Sequence, residues 1–199
     1  MSASLCVPRL FVDMDGTLAE WNTSASMTDL RRDGYYASLQ PNYSLIRALY
    51  VIRNSVDLHI LTAYLTDVPY PYQDKRAWLS RYMPFIPASH IHMMPYGTCK
   101  ASLPILRSHD VLLDDYTVNL IEWNSYRKNG RNLGLQGLKA LNGINGKPDK
   151  WTRFGIATHA LYPGISVNIL NPDPDDLAVE LYDDIRILTE TSLKRCAMV

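Results

Sequence analysis

Two aspartates, Asp13 and Asp15, follow a short apolar run near the start of the chain, and their spacing is suited to chemistry. Residues two apart on a strand point the same way, so both carboxylates can lean over one spot at the strand's end. Gly16 lets the backbone turn sharply there, and Thr17 can hydrogen-bond into the turn. Two anions held this close either share a proton or bind a cation. Because Mg²⁺ prefers carboxylate oxygens, we expect a magnesium site.

The strands that must position such a site can be predicted from apolar runs. Residues 10–13, 56–61 and 111–113 are three short runs typical of strands buried on both faces. Each run leads into polar side chains: Asp13 and Asp15, then Thr62, then Asp114 and Asp115. Ligands of parallel sheets bind at the carboxyl ends of strands. The repeated pattern therefore predicts that these side chains share one site.

The remaining segments alternate between helical and strand-like patterns. Helices are predicted over 41–52, 74–83, 118–123 and 174–194, strands over 91–93, 134–141 and 165–170, a short helix or turn over 100–106, and loops over 63–72 and 141–151. This alternation predicts an α/β fold, a Rossmann-like parallel sheet flanked by helices. Residues 19–40 are mostly polar and have no continuous helical or strand pattern, which indicates a small helical cap inserted over the first strand. We expect one domain of residues 1–199 with that cap embedded.

Composition argues against several classes of partner. The chain has 20 basic and 20 acidic residues, so it has no long-range attraction to nucleic acid or anionic membranes. The three cysteines are widely spaced and suggest neither a zinc site nor disulfides, which fits a reducing compartment. We recognise no signal peptide and no membrane-spanning run. We therefore expect a soluble, cytoplasmic protein that binds no nucleic-acid polymer and no membrane; a homodimer is left open.

The ordered set of polar residues suits phosphoryl chemistry. A carboxylate can attack phosphorus to give an aspartyl-phosphate, and we predict Asp13 as this nucleophile. Asp15 would protonate the leaving oxygen and then deprotonate the attacking water. Thr62 and the backbone N–H of Ala63 would hold phosphate oxygens, and Lys100 would neutralise charge on phosphate and nucleophile. Alternative sources of that positive charge are Lys75, Arg76 and Arg107.

These residues resemble the four motifs of the haloacid dehalogenase (HAD) superfamily of phosphatases. The run from Asp13 to Thr17, DMDGT, resembles the first motif, and Thr62, Lys100 and the pair Asp114-Asp115 resemble the other three. The resemblance implies a Mg²⁺ cofactor bound by the Asp13 side chain, the Asp15 backbone carbonyl and one of Asp114 or Asp115. The family pattern favours Asp115 as the direct ligand, with Asp114 nearby.

Three stretches resemble the 5'(3')-deoxyribonucleotidase group of that superfamily. They are FVDMDGTLAEW, YPYQDKRAWLSRYM and DVLLDDYTVNLIEW; the last, with LNGINGKPDKW, resembles a bacterial and phage branch of the group. Tyr35 and Tyr36 resemble an aromatic pair of the group, which implies stacking on a base. Ala63 departs from the group's usual serine, and the chain after Trp151 is not covered. The resemblance implies a phosphomonoester hydrolase acting on nucleoside monophosphates.

Other functions compete with this one. A HAD phosphatase for a sugar phosphate or another small metabolite would need the same residues. A receiver domain of a response regulator also gathers acids, a Thr and a Lys at strand ends. Receivers, however, place the phospho-accepting Asp on a later strand than the acid pair, and here DxDGT comes first. A catalytically idle nucleotide-binding protein with the same fold is the third alternative.

Histidines and asparagines outside these motifs are predicted to be structural. His59 lies in an apolar strand and is expected in the core with a satisfied ring, whereas His90 and His92 are expected at the surface. Asn142 and Asn145 are expected to hold the backbone of their own loop.

Overall fold

The structure is a computed structural model that describes residues 7–144 and 164–196, with side chains described up to residue 190. Within these residues the strands are β1 (Arg9–Val12), β2 (Asp57–Tyr64), β3 (Ile91–Pro95), β4 (Val111–Asp114), β5 (Arg127–Lys128), β6 (Arg131–Asn132), β7 (Gln136–Leu141) and β8 (Ser166–Asn168). The α-helices are α1 (Tyr43–Ile52), α2 (Tyr70–Tyr82), α3 (Thr117–Ser125) and α4 (Pro174–Cys196). Short 3-10 turns lie at Asp29–Arg31, Tyr36–Ser38, Ala88–His90 and Lys100–Ser102.

Six strands form one parallel sheet in the order β3-β2-β1-β4-β7-β8. The central strand β1 pairs with β2 on one side and β4 on the other, with Leu10 opposite both Leu58 and Val111. The order places the carboxyl ends of β1, β2 and β4 side by side. The predicted α/β class with a Rossmann-like sheet is confirmed.

Both faces of the sheet are covered, because successive side chains of a strand point to opposite faces. Leu10 and Val12 pack into the larger core with α1, α2 and α4. Phe11 packs on the other face into a smaller core with α3. The sequence of each central strand is therefore a continuous apolar run, which is typical of buried parallel strands. No helix among the described residues is both long and apolar enough to cross a membrane.

Some element boundaries differ from the prediction. The loop predicted at 63–72 is wrong at both ends, because β2 continues through Tyr64 and α2 already begins at Tyr70. Pro71 lies in the first turn of α2, where its missing N–H has no helical partner to lose. The hairpin β5–β6 was not predicted; Asn129 and Gly130 turn it with φ of 52° and 77°, the conformation of a two-residue hairpin loop. Residues 145–151 of the predicted loop lie outside the described residues.

The segment of residues 19–40, the cap segment, connects β1 to α1 and contains two of the 3-10 turns. Its two ends are joined, since the amide of Glu20 donates to the carbonyl of Gln40 at 2.8 Å. Its middle packs on α2, where the indole N–H of Trp78 donates to the carbonyl of Leu39 at 2.9 Å. The segment is therefore held at its base and on one side by the core.

Three histidines form a stack at β2 and β3. The ring of His59 lies 4.1 Å from that of His90 and 5.2 Å from that of His92, and Phe11 stacks on it at 4.8 Å. His59 Nδ1 is 3.0 Å from His92 Nε2. The predicted core location of His59 is confirmed, but its ring is only partly satisfied, because the buried Nε2 has no hydrogen-bond partner among the described residues. His90 and His92, predicted at the surface, are half-buried against it.

Candidate active site

The turn after β1 brings Asp13 to the centre of the sheet's carboxyl edge. Asp13 is buried, and its amide donates to the carbonyl of Leu113 at 2.9 Å, so β1 and β4 stay in register up to the site. Gly16 has φ of 78°, which a side chain rarely tolerates. A Cβ at this position would also overlap the carboxylate of Asp115. The glycine therefore lets the first and last acidic motifs approach each other.

Asp13, Asp114 and Asp115 form a cluster of carboxylates. One oxygen of each lies within 4.8 Å of those of the other two. Burial raises the pKa of Asp13 to about 7; Lys100 opposes this rise, and Asp114 and Asp15 add to it. Burial, together with the charges of Asp114 and Asp13, raises the pKa of Asp115 well above its ordinary value. The cluster thus suits a hard divalent cation, which would relieve the repulsion.

The two adjacent aspartates have different surroundings. Asp114 accepts hydrogen bonds from Lys100 Nζ at 2.7 Å, from Asn119 Nδ2 at 2.8 Å and from the amide of Tyr116 at 2.7 Å. Asp115 Oδ2 accepts from Asn142 Nδ2 at 2.9 Å, beside Gly16. Asp114 is thus engaged in holding its neighbours, and Asp115 is held beside the DxD turn; which of the two would bind a metal stays a prediction.

Lys100 links two members of the cluster. It starts a 3-10 turn, and its Nζ lies 2.5 Å from Asp13 Oδ1 as well as 2.7 Å from Asp114 Oδ2. Burial disfavours its charge, but the carboxylates of Asp114 and Asp13 outweigh burial and raise its pKa. Lys100 therefore stays a cation beside the predicted nucleophile. Of the alternative cations, Arg76 and Arg107 are exposed.

The third alternative, Lys75 on α2, lies in the site as well. Its Nζ contacts Asp15 Oδ2, donates to Thr62 Oγ1 at 3.0 Å, and donates to the carbonyl of Ala63 at 2.5 Å. Lys75 is completely buried. The Asp15 side chain turns to this lysine rather than into the carboxylate cluster, and its Oδ1 is buried without a hydrogen-bond partner among the described residues. The site therefore contains two lysines, one for each aspartate of the DxD pair.

A third lysine supports the loop after β4. Lys139 on β7 is opposite Asp114 in the sheet, and its Nζ donates to the backbone carbonyl of Asp115. Asn142 Nδ2 donates to the carbonyl of Gly16 at 2.8 Å as well as to Asp115, and its Oδ1 accepts from the amide of Ile144. The prediction for Asn142 was therefore incomplete, because it braces the site besides its own loop. Asn145 lies outside the described residues.

Thr62 and Ala63 lie inside β2 rather than after it, because the strand extends to Tyr64. Thr62 is completely buried beside Lys75. Tyr35 and Tyr36 lie in the cap segment, each 4% exposed, with their rings edge to face at 5.0 Å. The Tyr36 ring covers the Lys75 ammonium at 4.7 Å. Thr62 is thus beside the DxD pair, Tyr36 lies over Lys75, and Tyr35 packs against Tyr36. Contact of the two tyrosines with a substrate stays a prediction.

A cavity of about 150 Å³ lies beside the DxD turn. Its polar lining includes Thr17, Glu20 and Asn142, and Trp21 contributes an aromatic ring. The hydroxyl of Thr17 is buried without a hydrogen-bond partner among the described residues. The apolar wall is formed by Ala19, Ile144, Ile169 and Leu170. The cavity is smaller than the roughly 300 Å³ at which sites for drug-sized ligands begin, so it suits one ring-sized group.

Sequence reasoning missed residues that support the site by ion pairs and hydrogen bonds. Lys75 was considered as a substitute for Lys100, and not as a second cation. Lys139 and Asn119 were not predicted, since an asparagine on a helix has no signal of its own and a lysine inside a strand has only a weak one. A weak signal did exist for Lys139, because burial of a lysine in a parallel strand requires nearby anions.

The charges of the site fit a divalent cation together with a phosphate. Four carboxylates, those of Asp13, Asp15, Asp114 and Asp115, stand against the ammonium groups of Lys75, Lys100 and Lys139. With all seven ionised, the site has an excess of one negative charge. A divalent cation would reverse that sign and make the site attractive to an anion.

Comparison with known proteins gives a likeness among solved structures that covers most of the chain. No family model matches the sequence, and no curated protein matches it. Among solved structures, the HAD domain of the effector protein Lem4 from Legionella pneumophila, in an inactive mutant form, is similar with a TM-score of 0.39 and 16% identity. The likeness covers 89% of this chain and 99% of that one.

Proposed function

We propose that this protein is a Mg²⁺-dependent phosphomonoester hydrolase that acts through an aspartyl-phosphate. The observation that carries the proposal is the meeting of Asp13, Asp114 and Asp115 within 4.8 Å, with Lys100 bonded to two of them. These side chains come from the ends of two strands and a turn between them. An arrangement of acids and a lysine around one buried carboxylate suits transfer of a phosphoryl group to that carboxylate.

In the first step, a carboxylate oxygen of Asp13 attacks phosphorus and forms an O–P bond. The bond from phosphorus to the leaving oxygen breaks, and Asp15 donates a proton to that oxygen. Thr62 Oγ1 and Lys75 Nζ lie together beside Asp15, 3.0 Å apart, where they would orient the phosphate and the acid. Lys100 would balance the negative charge that the nucleophile and the phosphate share.

In the second step, water attacks the phosphorus of the aspartyl-phosphate. Asp15, now a carboxylate, accepts the proton of that water, the O–P bond to Asp13 breaks, and inorganic phosphate leaves. The Asp13 carboxylate and the protonated Asp15 are restored; the ion pair of Asp15 with Lys75 describes the site before Asp15 takes up this proton. The same residue thus serves first as acid and then as base.

The residues that would hold Mg²⁺ are the side chains of Asp13 and Asp115 and the backbone carbonyl of Asp15. When bound there, the ion supplies charge stabilisation for the phosphate oxygens. Asp114 would keep Lys100, Asn119 and the Tyr116 amide in place around it.

The substrate that we propose is a nucleoside monophosphate. The support is the cavity beside Thr17, which offers the Trp21 ring for stacking and the carboxylate of Glu20 for N–H or O–H groups. Its volume of about 150 Å³ suits one ring of a nucleoside. Tyr35 and Tyr36 are a second candidate surface for the base, although both are buried here. A sugar phosphate is the competing substrate, because a cavity of this size also accepts one sugar ring.

The test is phosphate release with Mg²⁺ over deoxy- and ribonucleoside 5'- and 3'-monophosphates, sugar phosphates and an aryl phosphate. We expect turnover that EDTA removes and that Asp13→Asn lowers by about 10⁴-fold. Asp183→Asn, an exposed aspartate on α4, is the control and should match the unaltered protein. Retained activity in Asp13→Asn would rule out the covalent mechanism, and preference for sugar phosphates would rule out the nucleotide.

A further inference from the structure

Consecutive residues of α2 connect the candidate active site to the cap segment. Asp74 and Lys75 are both buried, and their side chains diverge. Lys75 reaches Asp15 and Thr62, whereas Asp74 Oδ2 accepts a hydrogen bond from the amide of Tyr36 at 3.2 Å. One turn of α2 thus directs the Lys75 ammonium toward the candidate active site and the Asp74 carboxylate toward the cap segment.

Asp74 sits at the start of the 3-10 turn of the cap segment, Tyr36–Ser38. Burial raises the pKa of its carboxyl, and backbone hydrogen bonds from Tyr36, Ala37 and Gly34 oppose that rise. The N-terminal end of a turn presents amides without partners, so a carboxylate there satisfies them. Asp74 is therefore a capping residue supplied by another element of the chain.

The amide that Asp74 holds belongs to the residue whose ring covers Lys75. The Tyr36 ring lies 4.7 Å from Lys75 Nζ, and Tyr36 is 4% exposed. Trp78, one turn further along α2, holds the far end of the same 3-10 turn through the carbonyl of Leu39 at 2.9 Å. The cover over Lys75 is thus fixed at both ends by one helix.

We propose that Asp74 is a positioning residue that keeps the Tyr36 ring over Lys75 and thereby keeps water from the Lys75–Asp15 ion pair. An ion pair of this kind weakens when water enters, because the dielectric constant rises. Lys75 would then hold Asp15 and Thr62 less rigidly. The catalytic part of the inference rests on the proposed function, whereas the cover itself does not.

The first experiment tests the cover without any turnover. Hydrogen exchange of the amides of residues 34–37 and pulse acetylation of Lys75 are measured by mass spectrometry in Asp74→Ala, Asp74→Asn and the unaltered protein. We expect faster exchange and acetylation by at least about tenfold in Asp74→Ala. Asp74→Asn retains an acceptor oxygen and should stay close to the unaltered protein. Gln73→Ala, an exposed neighbour on α2, is the matched control.

The second experiment measures kcat and KM for the aryl phosphate in the same proteins. We expect kcat to fall about 10- to 100-fold in Asp74→Ala with KM little changed, and Asp74→Asn to restore most of kcat. If Asp74→Ala is not folded, Asp74→Glu, whose carboxylate is displaced by one methylene, replaces it in both experiments.

Unchanged exchange and acetylation in Asp74→Ala would overturn the inference. Faster exchange and acetylation in Asp74→Ala with an unchanged kcat would also overturn the inference. In that case the proposed function would stand. If the unaltered protein releases no phosphate, the proposed function fails, while the first experiment still decides whether Asp74 holds the cover.

Discussion

The ammonium group of Lys75 contacts the carboxylate of Asp15, although 60 residues separate the two in the chain. The contact pairs the second aspartate of the DxD turn with a lysine from α2, just as Lys100 pairs the first. The two pairs differ in one respect: Lys100 also bonds a second carboxylate, Asp114, whereas Lys75 also bonds the hydroxyl of Thr62. Lys75 therefore ties Asp15 to the carboxyl-terminal part of β2.

Lys75→Met should impair both activity and stability. We expect kcat/KM for an aryl phosphate to fall about 10²- to 10³-fold, because Asp15 and Thr62 lose a shared donor. The free energy of unfolding should fall by at most about 3 kcal/mol, because Asp15 is left with an unpaired charge that is partly solvated. Arg76→Met, at the exposed neighbouring position, is the control for both measurements. Equal kinetics in the two variants would contradict a role for Lys75.

Gly16→Ala and Gly97→Ala form a matched pair that separates backbone strain from crowding of the site. Both glycines have positive φ, 78° and 86°, but a Cβ on Gly97 would meet no atom within 4 Å. Each variant should lose about 1–2 kcal/mol of unfolding free energy from the strained backbone. Gly16→Ala should in addition lower Mg²⁺ affinity and phosphate release at least about tenfold, since it displaces the Asp115 carboxylate. Calorimetric Mg²⁺ binding to both variants checks this; an equal affinity would contradict it.

Mg²⁺ should stabilise the folded protein, and Asp114 and Asp115 should differ in this effect. At 100 times its dissociation constant, Mg²⁺ would add about 2.7 kcal/mol to the free energy of unfolding. We expect Asp115→Asn to lose most of this gain, because a direct ligand is removed. Asp114→Asn should keep the gain but start from a lower stability, because Lys100 and Asn119 lose their acceptor. Melting curves with and without Mg²⁺ measure both effects. If Asp114→Asn loses the gain and Asp115→Asn keeps it, Asp114 is the ligand.

The histidine stack should make the protein less stable in mild acid. Burial lowers the pKa of His59 from 6.5 to about 4, and Asp57 opposes this fall. Between these values the unfolded chain binds a proton that the folded chain does not. The free energy of unfolding should therefore be unaffected by His59 above pH 6.5 and fall toward pH 4, by at most about 3 kcal/mol.

His59→Phe keeps a ring between Phe11 and His90 but does not titrate. Denaturant unfolding at several pH values should show a smaller loss between pH 6.5 and 4 in this variant than in the unaltered protein. The same loss in both proteins would show that other groups cause the acid sensitivity.

The predicted fold succeeded where the local pattern and the burial agreed. The apolar runs before Asp13, Thr62 and Asp114 suit strands of a covered parallel sheet, so the fold class was predictable, whereas no strand order was predicted. The start of α2 was missed because prolines at 69 and 71 look like loop residues, and their tolerance in a first helical turn depends on what precedes them. The Asn129-Gly130 turn carried a hairpin signal that was overlooked.

By itself, the sequence determined the α/β class and predicted which polar residues follow the central strands, because apolar runs and the residues after them are local features of the chain. The tertiary structure alone decided which cation meets which carboxylate. Lys75 turns to Asp15, Lys100 joins Asp13 to Asp114, and Lys139 braces the loop of Asp115. These pairings depend on how α2 and β7 pack beside β1 and β4, and contacts between distant segments leave no periodic trace in the sequence.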